Sequence, residues 1–153
     1  MRTPLLILSL LLTVVGQQAF AQGKAKKAPK MDNKTLVVTA LDAVFNQGDT
    51  AAVLQYWSED YVQHNPQFPN GREVILNFAR TRPAGLKFEP GLVMAQGDLV
   101  MVHSRYTGFG PNPMVIVDIL RVKNGKLVEH WDIMQEEVPA DKAVNGNPMF
   151  PIR

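Results

Sequence analysis

The chain has 153 residues, of which 46% are hydrophobic and 20% charged, with a formal charge of +2 and no cysteine. That length suits one domain, and the composition sets aside disordered, fibrous and disulfide-stapled classes. Without cysteine there is no thiolate chemistry, no disulfide and no cysteine-borne lipid anchor.

Residues 1–21, "MRTPLLILSLLLTVVGQQAFA", have a positive start at Arg2, an apolar stretch from Leu5 to Val15 and a polar region ending Ala19-Phe20-Ala21. This is the three-part layout of a secretory signal peptide with small residues at the cleavage positions. The apolar run is shorter than the roughly 20 residues a membrane span needs. The mature protein is therefore expected to be exported, periplasmic or secreted, with no membrane partner once the signal is removed. Residues 22–30 form a basic linker, and "GKAKKAPK" places four lysines in eight residues. A lysine run of this kind reads as a solvated tail. No basic stripe or binding motif accompanies it, so no nucleic-acid partner is expected. The domain is expected over 31–153.

The domain opens helical. In "NKTLVVTALDAVFNQGD" the residues Leu36, Val37, Ala40, Leu41, Val44 and Phe45 form one wide helical stripe. Asp32 or Asn33 can cap its start, and Gln47-Gly48 stops it. "DTAAVLQYW" predicts a second short helix capped by Asp49 or Thr50. "SEDYVQHNPQFPNG" reads as turns, with Pro66 and Pro69 preventing a long helix. A third helix is expected after Asn70, which has capping-box spacing to Glu73, and it ends near "RPAG".

From Leu86 the period shortens. "LKFEPGLVMAQ", "DLVMVHSRYTG", "PMVIVDILRV" and "LVEHWDIMQ" are separated by "GD", "FGPN" and "KNGK", as in an antiparallel meander. Helices followed by a meander predict an α+β domain with the helices covering one face of a curved sheet.

One residue stands out in the third strand. Asp118 sits among Val115, Ile116, Val117, Ile119 and Leu120, where an unpaired carboxylate costs several kcal/mol. A three-residue loop at "KNG" would set Asp118 opposite His130 and Ile116 opposite Asp132. A loop at "GPNP" would bring His103 near Leu120. In that register His103, Asp118, His130 and Asp132 share one face with Met101, Ile116, Leu120, Val128 and Met134. An apolar wall with a few convergent polar groups is the make-up of a small-molecule pocket. The opposite face, with Val115, Val117, Ile119, Glu129, Trp131 and Ile133, is apolar enough for a homodimer interface.

The segments "YVQHNPQFPNGRE" and "VDILRVKNGKLVEHWDIMQ" resemble the SnoaL-like polyketide cyclase family, within the larger nuclear transport factor 2-like fold. The resemblance covers roughly residues 31 to 150. It implies a cone-shaped, curved antiparallel or mixed β-sheet with N-terminal helices packed on its concave face. It also implies cofactor-free aldol or isomerase-type acid/base chemistry, with Asp118 as the acid/base and His103 the histidine near it. Export is a departure from cyclases that act on intracellular intermediates.

Catalytic candidates are thus Asp118, His103 and His130, and substrate-binding candidates His64, Asn65, Tyr61 and Asp132. Each has a plainer reading. Asp118 could be a carboxylate satisfied by a histidine; His103 could be a core histidine; Asp132 could close the strand end. His64 and Asn65 could serve the turn before Pro66, against a functional place for His64 at the pocket mouth. Tyr61 and Trp57 are the sort of aromatics that more often fill core, and Trp131 faces away from His130, toward a helix or a dimer partner. No metal-ligand spacing such as H-x-x-x-H occurs, so no metal is expected. The expected ligand is small and apolar or carbonyl-containing. A binding protein without catalysis, or an interaction module, are the alternatives. Residues 143–153, "AVNGNPMFPIR", could be lid or dimer arm.

Overall fold

The structure is a computed structural model describing residues 31–152. The expected leader 1–21 and linker 22–30 lie outside the described residues. Helix α1 (Asn33–Asp42) is capped by Asp32, whose carboxylate accepts from the backbone N–H of Lys34 (3.0 Å) and Thr35 (3.1 Å). Its stripe buries Leu36, Val37, Ala40 and Leu41. The helix then widens into a π-helical turn, Ala43–Gln47, and stops at Gly48 with φ of 66°, the left-handed conformation glycine adopts without strain. Within that turn the Asn46 side chain acts like a strand partner. Its Nδ2 donates to the Phe88 carbonyl (3.0 Å), and its Oδ1 accepts from the Phe88 N–H (2.7 Å).

Helix α2 (Thr50–Tyr56) is capped by Asp49 and runs directly into strand β1 (Trp57–Gln63). The expectation of turns across "SEDYVQ" is thereby corrected. The strand was hidden because its buried residues, Trp57 and Tyr61, are four apart, and an irregularity between Trp57 and Val62 breaks the two-residue alternation. Helix α3 (Glu73–Thr81) follows. Its cap differs from expectation: Arg72 occupies the cap position without a side-chain bond to the helix end, while Asn70 accepts from the Gln63 N–H at 2.8 Å.

Strands β2 (Lys87–Gln96), β3 (Leu99–Thr107), β4 (Met114–Lys123) and β5 (Lys126–Glu136) form the meander. The sheet order is β1-β5-β4-β3-β2, with β1 parallel to β5 and the other pairs antiparallel, so the sheet is mixed. Its helix-facing side buries Phe88, Val100, Val102, Tyr106, Ile116 and Leu120 against α1 and the π turn. Burying each large apolar side chain contributes about 1.5–3 kcal/mol, so this interface dominates the stability of the fold.

Both expected registers shift. Asn124 (φ 52°) and Gly125 (φ 76°) make a two-residue turn with both residues at positive φ, as a tight hairpin with the native twist prefers. That turn moves the pairing by one residue, and an irregularity between Arg121 and Val122 moves it by one more. Asp118 therefore faces Asp132 and Leu120 faces His130, all four on their expected face, while nearer the turn Val122 pairs with Leu127, which is buried in place of Val128. The β3–β4 displacement is three residues: His103 faces Val117 and Val102 faces Asp118. An odd displacement turns one strand over. His103 and Met101 consequently point away from Asp118, and Tyr106 points toward its face. The longer connection leaves Phe109 free to fold against Tyr106 (ring centroids 5.6 Å apart) and Phe78 (6.1 Å).

The outer face of the sheet carries two features. Trp131 lies between the His64 ring, stacked at 4.6 Å, and the Arg121 guanidinium at 5.6 Å. Arg121 donates to Glu129 (2.7 Å) and holds that carboxyl below its ordinary value, while His64 adds a contact of 3.0 Å. Further along, Phe150 stacks on His103 at 5.6 Å, so the C-terminal segment docks on the outer face. The lid reading of the C-terminal segment is not met among the described residues, because none of 143–152 lines the cavity.

Candidate functional site

A cavity of about 340 Å³ lies between the helices and the concave face of the sheet. Its wall is mostly apolar, from Leu41 and Val44 of α1 and the π turn, Ile75 and Phe78 of α3, and Ile116 and Leu120 of β4. Strand alternation delivers the polar groups into it: Tyr61 and Gln63 from β1, Tyr106 from β3, Asp118 from β4, and His130, Asp132 and Glu136 from β5.

Asp118 is 5% exposed and bonded on both oxygens. The Tyr106 hydroxyl donates to Oδ2 at 3.0 Å, and His130 Nε2 lies 3.1 Å from Oδ1. The other ring nitrogen of His130, Nδ1, is 2.9 Å from Gln63 Oε1. Asp132, directly across the ladder from Asp118, has both oxygens held by Asn65 Nδ2, at 3.0 and 2.8 Å. Burial keeps the Tyr106 phenol protonated far above its ordinary range, and the adjacent Asp118 charge acts in the same direction. Tyr61 is raised for the same two reasons, burial first. Both are hydrogen-bond donors at any physiological pH. Trp57 lines the cavity too, and its indole N–H is buried without a hydrogen-bond partner among the described residues.

Of the residues singled out in the sequence, Asp118, His130, Asp132 and Tyr61 meet in this cavity. Asn65 is 3% exposed: its Oδ1 accepts from the Gln67 N–H in the turn (2.9 Å) and its amide holds Asp132, but it is not among the residues that line the cavity. His103 is not part of the cluster, because the β3 register turns it to the outer face under Phe150. His64 does not stand at the pocket mouth. Its neighbour Gln63 pairs with His130 and points inward, so His64 points outward onto Trp131. Two members were missed. Gln63 lies in β1, a segment expected to be turns, and Tyr106 was not among the candidates; the observed β3 register brings it to the Asp118 face. For Tyr106 the signal was the alternation of β3, whereas the interrupted alternation of β1 left none for Gln63.

Asp118, His130 and Asp132 offer donor atoms that all lie within 4.8 Å of one another, so they could in principle hold a metal. They do not fit one as arranged. Asp118 is bonded to Tyr106 and His130, and Asp132 to the Asn65 amide, so an ion would have to displace bonds the cluster already makes.

A curved mixed sheet whose concave face and helices enclose an apolar cavity with a buried acid and histidine defines a class of α+β domain built around a small-molecule site. The chain belongs to the SnoaL-like domain family, whose model matches residues 38–130, more than half of the sequence. No curated protein matches it. Among solved structures, it is similar to a candidate polyketide cyclase from Bacillus cereus ATCC 10987, at 23% identity over 67% of this chain and 74% of that one, with a TM-score of 0.58. A candidate ketosteroid isomerase from Kribbella flavida DSM 17836 is 21% identical over 68% of this chain and 78% of its own, with a TM-score of 0.59. An NTF-2 like protein of unknown function from Burkholderia xenovorans LB400 is 21% identical over 66% and 84%, with a TM-score of 0.53. Likenesses at this identity establish the nuclear transport factor 2-like fold and leave the chemistry to the site.

Proposed function

We propose that the cavity binds an uncharged, largely apolar carbonyl compound, and that Asp118 moves a proton at the carbon beside the carbonyl. The observation that carries this reading is Asp118 itself: a buried carboxylate in the cavity wall, held by one tyrosine and one histidine. Asp118 accepts the proton from carbon, and the electron pair moves onto the carbonyl oxygen, where the Tyr61 hydroxyl or His130 donates to it. Return of the proton to a different carbon is an isomerisation; attack of the enolate carbon on a second carbonyl is an aldol closure. The cyclase and isomerase descriptions of similar structures support this class of reaction.

The charge of the wall supports the substrate class. Among the described residues the lining includes Asp118, Asp132 and Glu136 and neither lysine nor arginine. A carboxylate or phosphate on the ligand would meet like charge in an apolar enclosure.

A second reading, a binding protein without turnover, draws on the same contacts, since both Asp118 oxygens are already satisfied. The two separate in one experiment. Apolar cyclic ketones are incubated with the protein in deuterated water, and deuterium at the carbon beside the carbonyl is followed by NMR. We expect exchange that Asp118→Asn lowers about 10²–10⁴-fold. Ketones that bind without exchanging would leave the binding protein as the function. Export before action, supported by the leader-like residues 1–21, belongs to the same proposal, as does pairing with a second copy through the outer face, where Ile133 is exposed.

A further inference from the structure

We infer that Gln63 is the positioning residue that fixes the protonation of the site, holding His130 as a proton donor toward Asp118. The argument is a count of protons. The backbone N–H of Asn65 donates to Gln63 Oε1 at 3.1 Å, and a backbone N–H cannot accept, so that side of the Gln63 amide is its oxygen. The same oxygen lies 2.9 Å from His130 Nδ1. An amide oxygen only accepts, so Nδ1 carries a hydrogen. In a neutral imidazole that is the ring's one N–H, and Nε2 is left with a lone pair.

Nε2, however, faces Asp118 Oδ1 at 3.1 Å. A lone pair against a buried carboxylate oxygen is repulsive, so a second proton lies between them. Tyr106 does not supply it, because its hydroxyl hydrogen is directed at Oδ2. The pair therefore shares one proton, written either as imidazolium and carboxylate or as imidazole and carboxylic acid. The groups facing His130 are Tyr61 and Gln63 from β1, Tyr106 from β3, Asp118 from β4 and Asp132 from β5. None of these is a cation, so nothing there competes with a positive imidazole.

The consequence for chemistry rests on the proton-transfer reading above. When Asp118 takes a proton from carbon, His130 already holds the proton that the developing oxygen needs. The site then begins and ends each cycle with the same one shared proton, and none has to enter from water. With the other tautomer His130 would meet Asp118 through Nε2–H as a neutral donor and keep a bare Nδ1, with no second proton to give.

The test is the nitrogen NMR spectrum of the histidine rings in the full, ligand-free chain near neutral pH. There are three histidines, and His130→Asn assigns the signal of interest. The expected result is a proton-bearing, pyrrole-like Nδ1 in His130. Gln63→Leu removes the acceptor and should shift Nδ1 to a bare, pyridine-like signal, whereas Gln63→Glu keeps an acceptor and should retain Nδ1–H. A bare Nδ1 in the wild type overturns the inference, and so does an Nδ1 unchanged in a folded Gln63→Leu. Should Gln63→Leu fail to fold, the wild-type and Gln63→Glu spectra decide by the same criterion. No substrate enters this measurement. A protonated Nδ1 beside a bare, pyridine-like Nε2 in the wild type also overturns the shared proton. A protonated Nδ1 and an Nε2 outside that range, with no ketone exchange, keep the proton count and discard only the catalytic reading.

Discussion

At the scale of single residues, the cavity is organised around the cost of burying Asp118. Tyr106 meets part of that cost, and its own environment leaves it no alternative state. Burial holds its phenol protonated well above the ordinary value of 10.0. An unfolded chain releases tyrosine protons above about pH 10, and the folded chain does not, so the unfolded state binds fewer protons there and stability falls as pH rises. Tyr106→Phe should flatten that alkaline loss in denaturant titrations run at successive pH values. At neutral pH the same variant leaves Asp118 Oδ2 without its donor. It should cost roughly 1–3 kcal/mol in urea unfolding. Equal stability of the variant at pH 7 would mean that the hydroxyl bond carries nothing. Asp118 was visible in the sequence as a charge out of place; Tyr106, an ordinary strand aromatic, was not.

At the scale of elements, the helices and the sheet are joined by few but specific devices. Asn46, in the π turn after α1, bonds both the N–H and the C=O of Phe88 on the edge strand β2. Edge strands present unpaired backbone groups, and one side chain here satisfies a pair of them. Asn46→Ala should lower stability by roughly 1–3 kcal/mol in urea unfolding, because two buried backbone groups lose partners together. A change within a few tenths would show that water replaces the side chain. The helix stripe, the Asp32 and Asp49 caps and the four meander strands were legible because each rests on local periodicity or local bonding. β1 was not. Its pairing with β5 spans most of the domain, and its alternation is interrupted where the strand bends.

At the scale of the whole molecule, the distribution of charge decides what can enter. Beside the Asp118–His130 pair, the cavity wall carries the carboxylates of Asp132 and Glu136, with no lysine or arginine among the described lining residues. A ligand charge about 6 Å from an unpaired carboxylate experiences about 3 kcal/mol at an effective dielectric constant near 20. Matched ketone and keto-acid ligands of equal size should therefore differ in affinity, with the acid weaker by at least about tenfold. Calorimetric titration would measure it, and Asp132→Asn combined with Glu136→Gln should narrow the gap. Equal affinities would mean that the charge of the wall does not select the ligand.

Local chemistry thus determined much from the sequence alone: the helix stripe and its stops, the number of meander strands, the α+β class, and the suspicion attached to Asp118. Those follow from side-chain size, periodicity and capping, which act within a few residues. The membership of the site was decided only by tertiary structure. Whether His103 or Tyr106 joined Asp118, and whether His64 or Gln63 turned inward, depended on the parity of strand pairings. Parity is set by the length of the β3–β4 connection in the one case and by where β1 pairs with β5 in the other. A displacement of one residue in either place exchanges the two faces of a strand, and no local property of the residues involved records which face is inward.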